Sequence, residues 1–162
     1  MATAADYFLK IEGIEGESAD SKHANEIQLE SWSFSERQAA DFAEGKGGGA
    51  GKVRMQDFHF TMKVNKASPK LFLACAQGEH IAKATLTCRK AGKDQQEFLK
   101  VTLSNVLVSS YQSGGDANDI VPIDKVALTF AKIETEYKPQ NEKGALGAAV
   151  KAGYDVTTQK KV

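Results

Sequence analysis

Apolar and polar residues alternate with a period of two along most of this 162-residue chain, and this alternation is the strongest constraint on its fold. Within Val53–Val64, for example, Phe58 and Phe60 take one side while His59 and Thr61 take the other. Successive side chains of a β-strand point to opposite faces, so a period of two indicates strands with one buried face. The pattern therefore predicts antiparallel strands and a mainly β fold.

Seven segments carry this alternation, and polar or glycine-containing turns separate them. The predicted strands are Tyr7–Glu12, Glu26–Phe34, Val53–Val64, Ala82–Lys90, Glu97–Tyr111, Val126–Tyr137 and Ala152–Thr157. In the second strand the apolar face changes near Glu30 and Ser31, which indicates a bulge or a strand covered on both sides. Several strands exceed the usual five or six residues. Their second faces are rich in Thr, Ser and Gln, and such faces can line solvent, a wet channel or a subunit contact.

One segment carries the signals of a helix. Ser68 is a residue type favoured at the N-cap, Pro69 suits the first turn and Gly78 suits the end. Leu71–Cys75 is apolar nearly all round, which predicts a buried helix. The expected fold is a compact β-barrel, or two-sheet barrel, with one short α-helix and a long extended loop. Residues 1–162 are expected to form a single domain, since this length is sufficient for a core.

Charge and hydropathy argue against several classes of function. The 21 basic and 21 acidic residues cancel, so nothing favours binding of nucleic acid or an anionic membrane. No run of about 18 apolar residues is present that would span a membrane. The N-terminus lacks the basic and apolar regions of a secretory signal. We therefore expect synthesis in the cytoplasm, and any export by a route that reads no N-terminal signal.

The glycine-rich segment Glu44–Lys52 resembles a phosphate-binding loop but lacks two of the residues that such a loop requires. The motif needs glycine where this chain has Lys46 and a hydroxyl residue where it has Val53. A dinucleotide fingerprint would have to join a buried strand to a helix. Here the preceding residues are polar and the following ones alternate like a strand. The segment is therefore predicted to be a long loop between two strands.

No group of residues predicts a metal site or a catalytic site. The histidines, His23, His59 and His80, are far apart and have no zinc-binding spacing. The segment Ser18–His23 contains hydrolase-like residue types, but a catalytic triad depends on geometry across the fold. The two cysteines are expected to be free thiols. We therefore predict no enzymatic activity, no cofactor and no metal.

An ordered series of short segments resembles one protein family from end to end. The segments are Phe8–Ile11, Gly13–Ser18, His23, Glu26-Ile27, Trp32-Ser33, Gly47–Lys52, Gln56–Phe58, Leu71–Cys75, Arg89–Gly92, Val108–Ser110, Tyr137–Gln140 and Val150–Asp155. In this order they are similar to the hemolysin-coregulated protein (Hcp) family, the tube-forming proteins of bacterial type VI secretion systems. No single segment is specific, whereas their ordered combination is.

The resemblance implies a β-barrel subunit that forms homohexameric rings. The rings would stack into an inner tube and be exported by a contractile sheath, without a cleavable signal peptide. Secreted effectors, the spike protein and the sheath are the implied partners, and effectors would be carried and chaperoned in the lumen. By the same resemblance Ser33 would face the lumen and contact effectors. We expect Gln38–Lys52 to contact a neighbouring subunit or ring through the close backbone approach that glycine permits, at Gly47, Gly48, Gly49 and Gly51.

Two other interpretations stay open at the level of the sequence. A monomeric β-barrel could bind a small apolar ligand, with Phe58, Phe60 and Phe130 lining a dry cavity. A nucleotide-dependent enzyme would need the glycine-rich segment to bind phosphate, which its missing residues disfavour.

Overall fold

The computed structural model describes residues 5–39, 52–90 and 95–162. Within these residues the chain forms eleven strands and one helix. Their bounds are β1 Ala5–Ile11, β2 Ile27–Gln28, β3 Ser31–Ser33, β4 Glu36–Gln38, β5 Val53–Met55, β6 Phe58–Lys63, α1 Ser68–Gln77, β7 Ile81–Lys90, β8 Glu97–Gly114, β9 Ile123–Tyr137, β10 Val150–Asp155 and β11 Lys160–Lys161. The prediction of a mainly β fold with one short helix is confirmed.

Nine of these strands belong to one antiparallel sheet, in which β9 pairs with three other strands. Along one side β9 pairs with β8. On its other side the first half pairs with β6 and the second half with β10. The order continues from β8 to β7 and β1, and β4 pairs with β5 in a separate two-stranded sheet. The length of β9 therefore lets one strand serve two neighbours.

The short strands β2 and β3 link the two ends of this sheet. β2 pairs with β1, whereas β3 pairs with β6. Between them the N–H of Leu29 donates to the carbonyl of Tyr7 at 2.9 Å, and the N–H of Glu30 donates to the carbonyl of Thr61 at 2.9 Å. Backbone pairing thus changes from β1 to β6 between Leu29 and Glu30. The series of paired strands β1, β7, β8, β9 and β6 is therefore closed through β2 and β3. The change of face predicted near Glu30 is this change of partner.

The core lies inside this closed arrangement of strands and is filled by side chains. Phe58, Phe60, Leu86 and Leu128 are each at most 1% exposed. The ring centroids of Phe58 and Phe60 lie 6.3 Å apart, and Trp32 stacks on Phe58 at 6.2 Å. Burying one such side chain stabilises the fold by about 1.5–3 kcal/mol. Aromatic packing therefore occupies the interior.

The ends of α1 agree only in part with the prediction. Gly78 adopts the left-handed conformation, with φ of 60°, and ends the helix as predicted. The N-cap is Ala67, one residue before the predicted one, and no side chain caps the helix. Ser68 is not the cap because its hydroxyl donates to the carboxylate of Asp124 at 2.6 Å.

The prediction that α1 is buried is wrong. Its buried residues are Ser68, Leu71 and Ala74, which share one face. Phe72 and Leu73 are 59% and 48% exposed, although both are apolar. One face of the helix packs on the sheet, whereas Phe72 contacts the edge of the sheet, with its ring centroid 6.1 Å from that of Tyr111, and Leu73 faces away from the core. Among the described residues, no helix has the length and apolarity needed to cross a membrane.

The long predicted strand Val53–Val64 is two strands in the structure. β5 ends at Met55 and β6 begins at Phe58, and between them the N–H of Gln56 donates to the carbonyl of Ser35 at 2.9 Å. This break lets β5 leave the main sheet and pair with β4, while β6 stays in the sheet.

Candidate functional site

The outer faces of β3, β6, β9 and β8, which lie side by side, form a continuous surface that we call the polar wall. It consists of Ser31, Ser33, His59, Thr61, Ser110, Gln112, Lys125 and Ala127, which line an open concavity of about 450 Å³. Seven of the eight residues are polar, and the eighth is small. Such a surface suits water or a polar partner better than it suits a protein core.

Strand alternation places the serines of β3 on this outer surface. Trp32, between them, points inward, where it contacts Tyr7 edge-on and stacks on Phe58. Because successive side chains alternate, Ser31 and Ser33 face outward, and both are exposed. Because the ring of Trp32 packs inward, the hydroxyls of Ser31 and Ser33 on either side of it face outward.

Cross-strand pairing organises the polar wall around Ser33. Ser33 lies opposite His59, and His59 lies opposite Ala127 on the next strand. Ser31 lies opposite Thr61, and their hydroxyl oxygens are 2.6 Å apart, within a hydrogen bond. Ser33, the residue predicted to contact effectors, is thus accessible on this surface, and its role there stays a prediction.

A buried carboxylate supports the polar wall from behind. Asp124 is fully buried and accepts hydrogen bonds from the hydroxyl of Ser68 at 2.6 Å and of Tyr111 at 3.0 Å. Burial, with the hydrogen bond to Asp124 as a second cause, raises the pKa of Tyr111 above its usual value. One side chain of β9 therefore joins the first turn of α1 to β8.

A second polar cluster lies away from the polar wall and fastens residues 12–26 to the barrel. Arg89, on β7, is 2% exposed and donates hydrogen bonds to Asp6 at 3.1 Å and Asp20 at 2.8 Å. Its guanidinium carbon also lies 4.8 Å from the ring centroid of Phe8. The hydrogen bond from Arg89 holds the pKa of Asp20 well below its usual range. Sequence reasoning missed this cluster because Asp20 and Arg89 are distant in the chain.

His23 belongs to the same loop and is a structural residue. Its ring stacks on Phe8 with centroids 4.5 Å apart. Nδ1 is 2.8 Å from a carboxylate oxygen of Glu26, and Nε2 is 2.6 Å from one of Glu97. Ser18 instead accepts a hydrogen bond from the backbone of Asp20. Both ring nitrogens are therefore occupied by carboxylates, and the hydrolase-like residues of Ser18–His23 form a loop anchor.

The histidines and cysteines remain as scattered in space as in sequence. His59 lies on the polar wall, whereas His80 contacts Asn105 at 3.2 Å. Residues 5–39, 52–90 and 95–162 contain no group of three His, Cys, Asp or Glu side chains arranged to hold a metal ion. Both cysteines are free thiols, and burial raises the pKa of Cys88 to about 12.

The predicted loop contact falls outside the described residues. Gly47, Gly48, Gly49 and Gly51 belong to residues 40–51, and the strands on either side of that stretch are β4 and β5.

Comparison with known proteins decides the family. Residues 8–137, which include every strand of the polar wall, match the family described as type VI secretion system effector, Hcp. The chain belongs to the Hcp family. The resemblance noted in the sequence is thereby confirmed over most of its length.

Individual Hcp proteins match almost end to end. Protein hcp1 of Pseudomonas aeruginosa is 43% identical over 155 residues, which cover 94% of this chain and 96% of that protein. Among solved structures, Hcp1 from Salmonella typhimurium is 36% identical with a TM-score of 0.83, covering 99% of this chain and 100% of that one. A structure described as a type six secretion system protein gives a TM-score of 0.93 at 27% identity, with 98% and 100% covered. The fold of the barrel is therefore that of the Hcp structures.

Proposed function

We propose that this Hcp-family chain is a structural subunit of the type VI secretion inner tube, and that it works as stacked hexameric rings rather than as an enzyme. The observation that carries the proposal is the polar wall: an exposed, concave sheet face on a barrel whose interior is already filled. Such a face offers an open surface on which a partner can be carried.

Apolar residues exposed elsewhere support assembly. Phe72 and Leu73 on α1, Tyr137 at the end of β9 and Val150 at the start of β10 are each at least 48% exposed. Exposed apolar surface of this kind marks contacts with other proteins. A cyclic ring joins two different surfaces of each copy, so several separate apolar areas fit ring closure. The polar wall then lies toward the central hole.

Effectors of the same secretion system are the proposed cargo. The exposed hydroxyls of Ser31 and Ser33 and the imidazole of His59 offer hydrogen bonds to a polar partner surface. The spike protein and the contractile sheath are the other proposed partners. The protein is proposed to be cytoplasmic on synthesis and then secreted within the tube.

A monomeric carrier of a small apolar ligand has less support. That interpretation required Phe58, Phe60 and Phe130 to line a dry cavity. Phe58 and Phe60 instead pack against each other in the core, and Phe130 packs against the same core. Side chains of the protein itself occupy the space that the ligand would need.

Particle mass and shape test the ring. Six copies of the 17.5 kDa chain give a mass of about 105 kDa for a closed ring. Light scattering should report that mass, and negative-stain images should show a ring with a central hole. A strictly monomeric protein over a wide concentration range would contradict the proposal.

Replacement of Ser33 tests the cargo surface. Ser33→Trp adds a large side chain to the concavity of the polar wall, so it should reduce binding of an effector of the same system at least tenfold while rings still form. Pull-down of that effector on purified rings measures the loss. Ser21→Trp, at an exposed serine in the loop before β2, is the matched control. Equal binding by both variants would remove Ser33 from the cargo surface.

A further inference from the structure

The two-stranded sheet of β4 and β5 carries two arginines side by side. Within the described residues these strands pair only with each other. Met55, on one face of this hairpin, packs against the core. On the opposite face Arg37 and Arg54 stand directly across from each other, and both are exposed. We call this face the arginine face.

The arginine face is unfavourable in an isolated subunit. Like charges directly opposite each other on neighbouring strands destabilise the pair, because their Cβ atoms are only about 5 Å apart. A two-stranded hairpin alone is also marginally stable in water. Among the described residues, neither Arg37 nor Arg54 forms an ion pair within 4 Å. Carboxylates of a partner would remove this repulsion.

The turn between β8 and β9 is acidic and lies at the far end of β6 from the hairpin. Two residues join the hairpin to β6, which ends at Lys63. Lys63 pairs with Ile123, at the start of β9 and next to this turn. The length of β6 separates the two ends by about 17 Å. That turn carries Asp116 and Asp119, which are both exposed. The arginine face and the acidic turn therefore occupy opposite ends of the wall that β6 forms.

The acidic turn has the shape and the chemistry of a receptor for arginine. The backbone N–H of Asp116 donates to a carboxylate oxygen of Asp119 at 3.2 Å, and the backbone N–H of Asn118 donates to one of Asp116 at 2.9 Å, so hydrogen bonds within the turn orient both carboxylates. Both line a concavity of about 230 Å³. Lys125 lines the same concavity, but no ion pair joins it to either aspartate among the described contacts. Ile120, the next residue along the chain, is fully exposed.

We propose that the arginine face of one copy docks on the acidic turn of a second copy, end to end. Arginine binds carboxylates through paired hydrogen bonds, and the contact would also cover Ile120. Because the two surfaces are different, each copy keeps one of each free, and the contact repeats without closing. This inference rests on the proposed ring and identifies a contact that stacks one ring on the next.

Charge reversal tests the contact on the full-length protein. Arg37→Glu with Arg54→Glu should leave single rings under conditions in which the parent forms stacks, with at least a tenfold fall in the fraction of stacked rings. Adding Asp116→Arg and Asp119→Arg to the same chain exchanges the two charges and should restore stacking. Negative-stain counting and sedimentation velocity measure both results. Lys160→Glu with Lys161→Glu makes the same change of net charge on β11 and should leave stacks unchanged.

Each result has one meaning. Stacks that persist in the double arginine variant overturn the inference and leave the proposed function intact. Parent rings that never stack overturn both the inference and the stacking in the proposed function, while the ring itself stands. Failure of the four-residue exchange to restore stacking excludes the acidic turn as the partner. A parent that forms no ring overturns the proposed function itself. If the glutamates unfold the hairpin, Arg37→Gln with Arg54→Gln replaces them, and weaker stacking is again the expected result.

Discussion

At the scale of single residues, the buried arginine of β7 shows how a charge is accommodated in this barrel. Arg89 is almost fully covered, yet Asp6 and Asp20 accept its hydrogen bonds and Phe8 covers its charged group. Breaking a buried ion pair on one side leaves an uncompensated charge, which is far more costly than the pair is stabilising. The cluster therefore holds the loop before β2 against the barrel.

This cluster predicts a loss of stability in acid. The folded state holds the pKa of Asp20 below its unfolded value, chiefly through the hydrogen bond from Arg89. The stabilisation that ionised Asp20 gives the folded state is therefore present at pH values above its unfolded pKa of about 3.9. It is lost as the pH falls through and below that pKa. Asp20→Asn should lower the urea midpoint at pH 7 and flatten its fall between pH 5 and pH 2.5. Glu142→Gln, at an exposed residue, is the control, and an unchanged pH profile in Asp20→Asn would contradict the argument.

At the scale of elements, the sequence predicted what depends on local pattern. The period of two located the main strands, and Gly78 located the end of α1. Contacts between distant segments were not predictable: Glu97 holds His23 from 74 residues away, and nothing in either segment indicates it. Ser33 was identified by resemblance, whereas the wall around it depends on the register of four strands.

The burial of α1 was also not predictable from local sequence, because its apolar residues lie on both the covered and the exposed face. Leu71 is fully buried, whereas Leu73 is 48% exposed on the other face of α1. Leu73→Ser should change the free energy of unfolding by less than about 0.5 kcal/mol, because the side chain is outside the core. It should nevertheless weaken ring assembly, measured as the dilution midpoint for dissociation. Leu71→Ala, the matched control, should cost about 2–5 kcal/mol of stability. Normal assembly of Leu73→Ser would exclude this face from the ring contact.

At the scale of the whole molecule, charged and apolar side chains are exposed on different parts of the barrel. The outer face of β3, β6, β9 and β8 is polar around the concavity, and a pair of exposed like charges lies beyond each end of β6, at Arg37 with Arg54 and at Asp116 with Asp119. Apolar side chains are exposed elsewhere, on α1 and at the junction of β9 and β10. Contacts within a proposed ring would thus be apolar, and contacts between proposed rings would be ionic.

This division predicts that salt separates the two levels of assembly. Raising the ionic strength from 0.1 M to 1 M shortens the screening length from about 10 Å to about 3 Å, which weakens exposed ion pairs. Apolar contacts are not weakened by this screening. Stacks should therefore dissociate into single rings of unchanged mass, as followed by sedimentation velocity across a sodium chloride series. The Arg37→Gln and Arg54→Gln variant should show little dependence on salt, since its contact between rings no longer relies on these charges. Rings that fall apart before the stacks do would reverse the assignment, because the ionic contact would then lie within the ring.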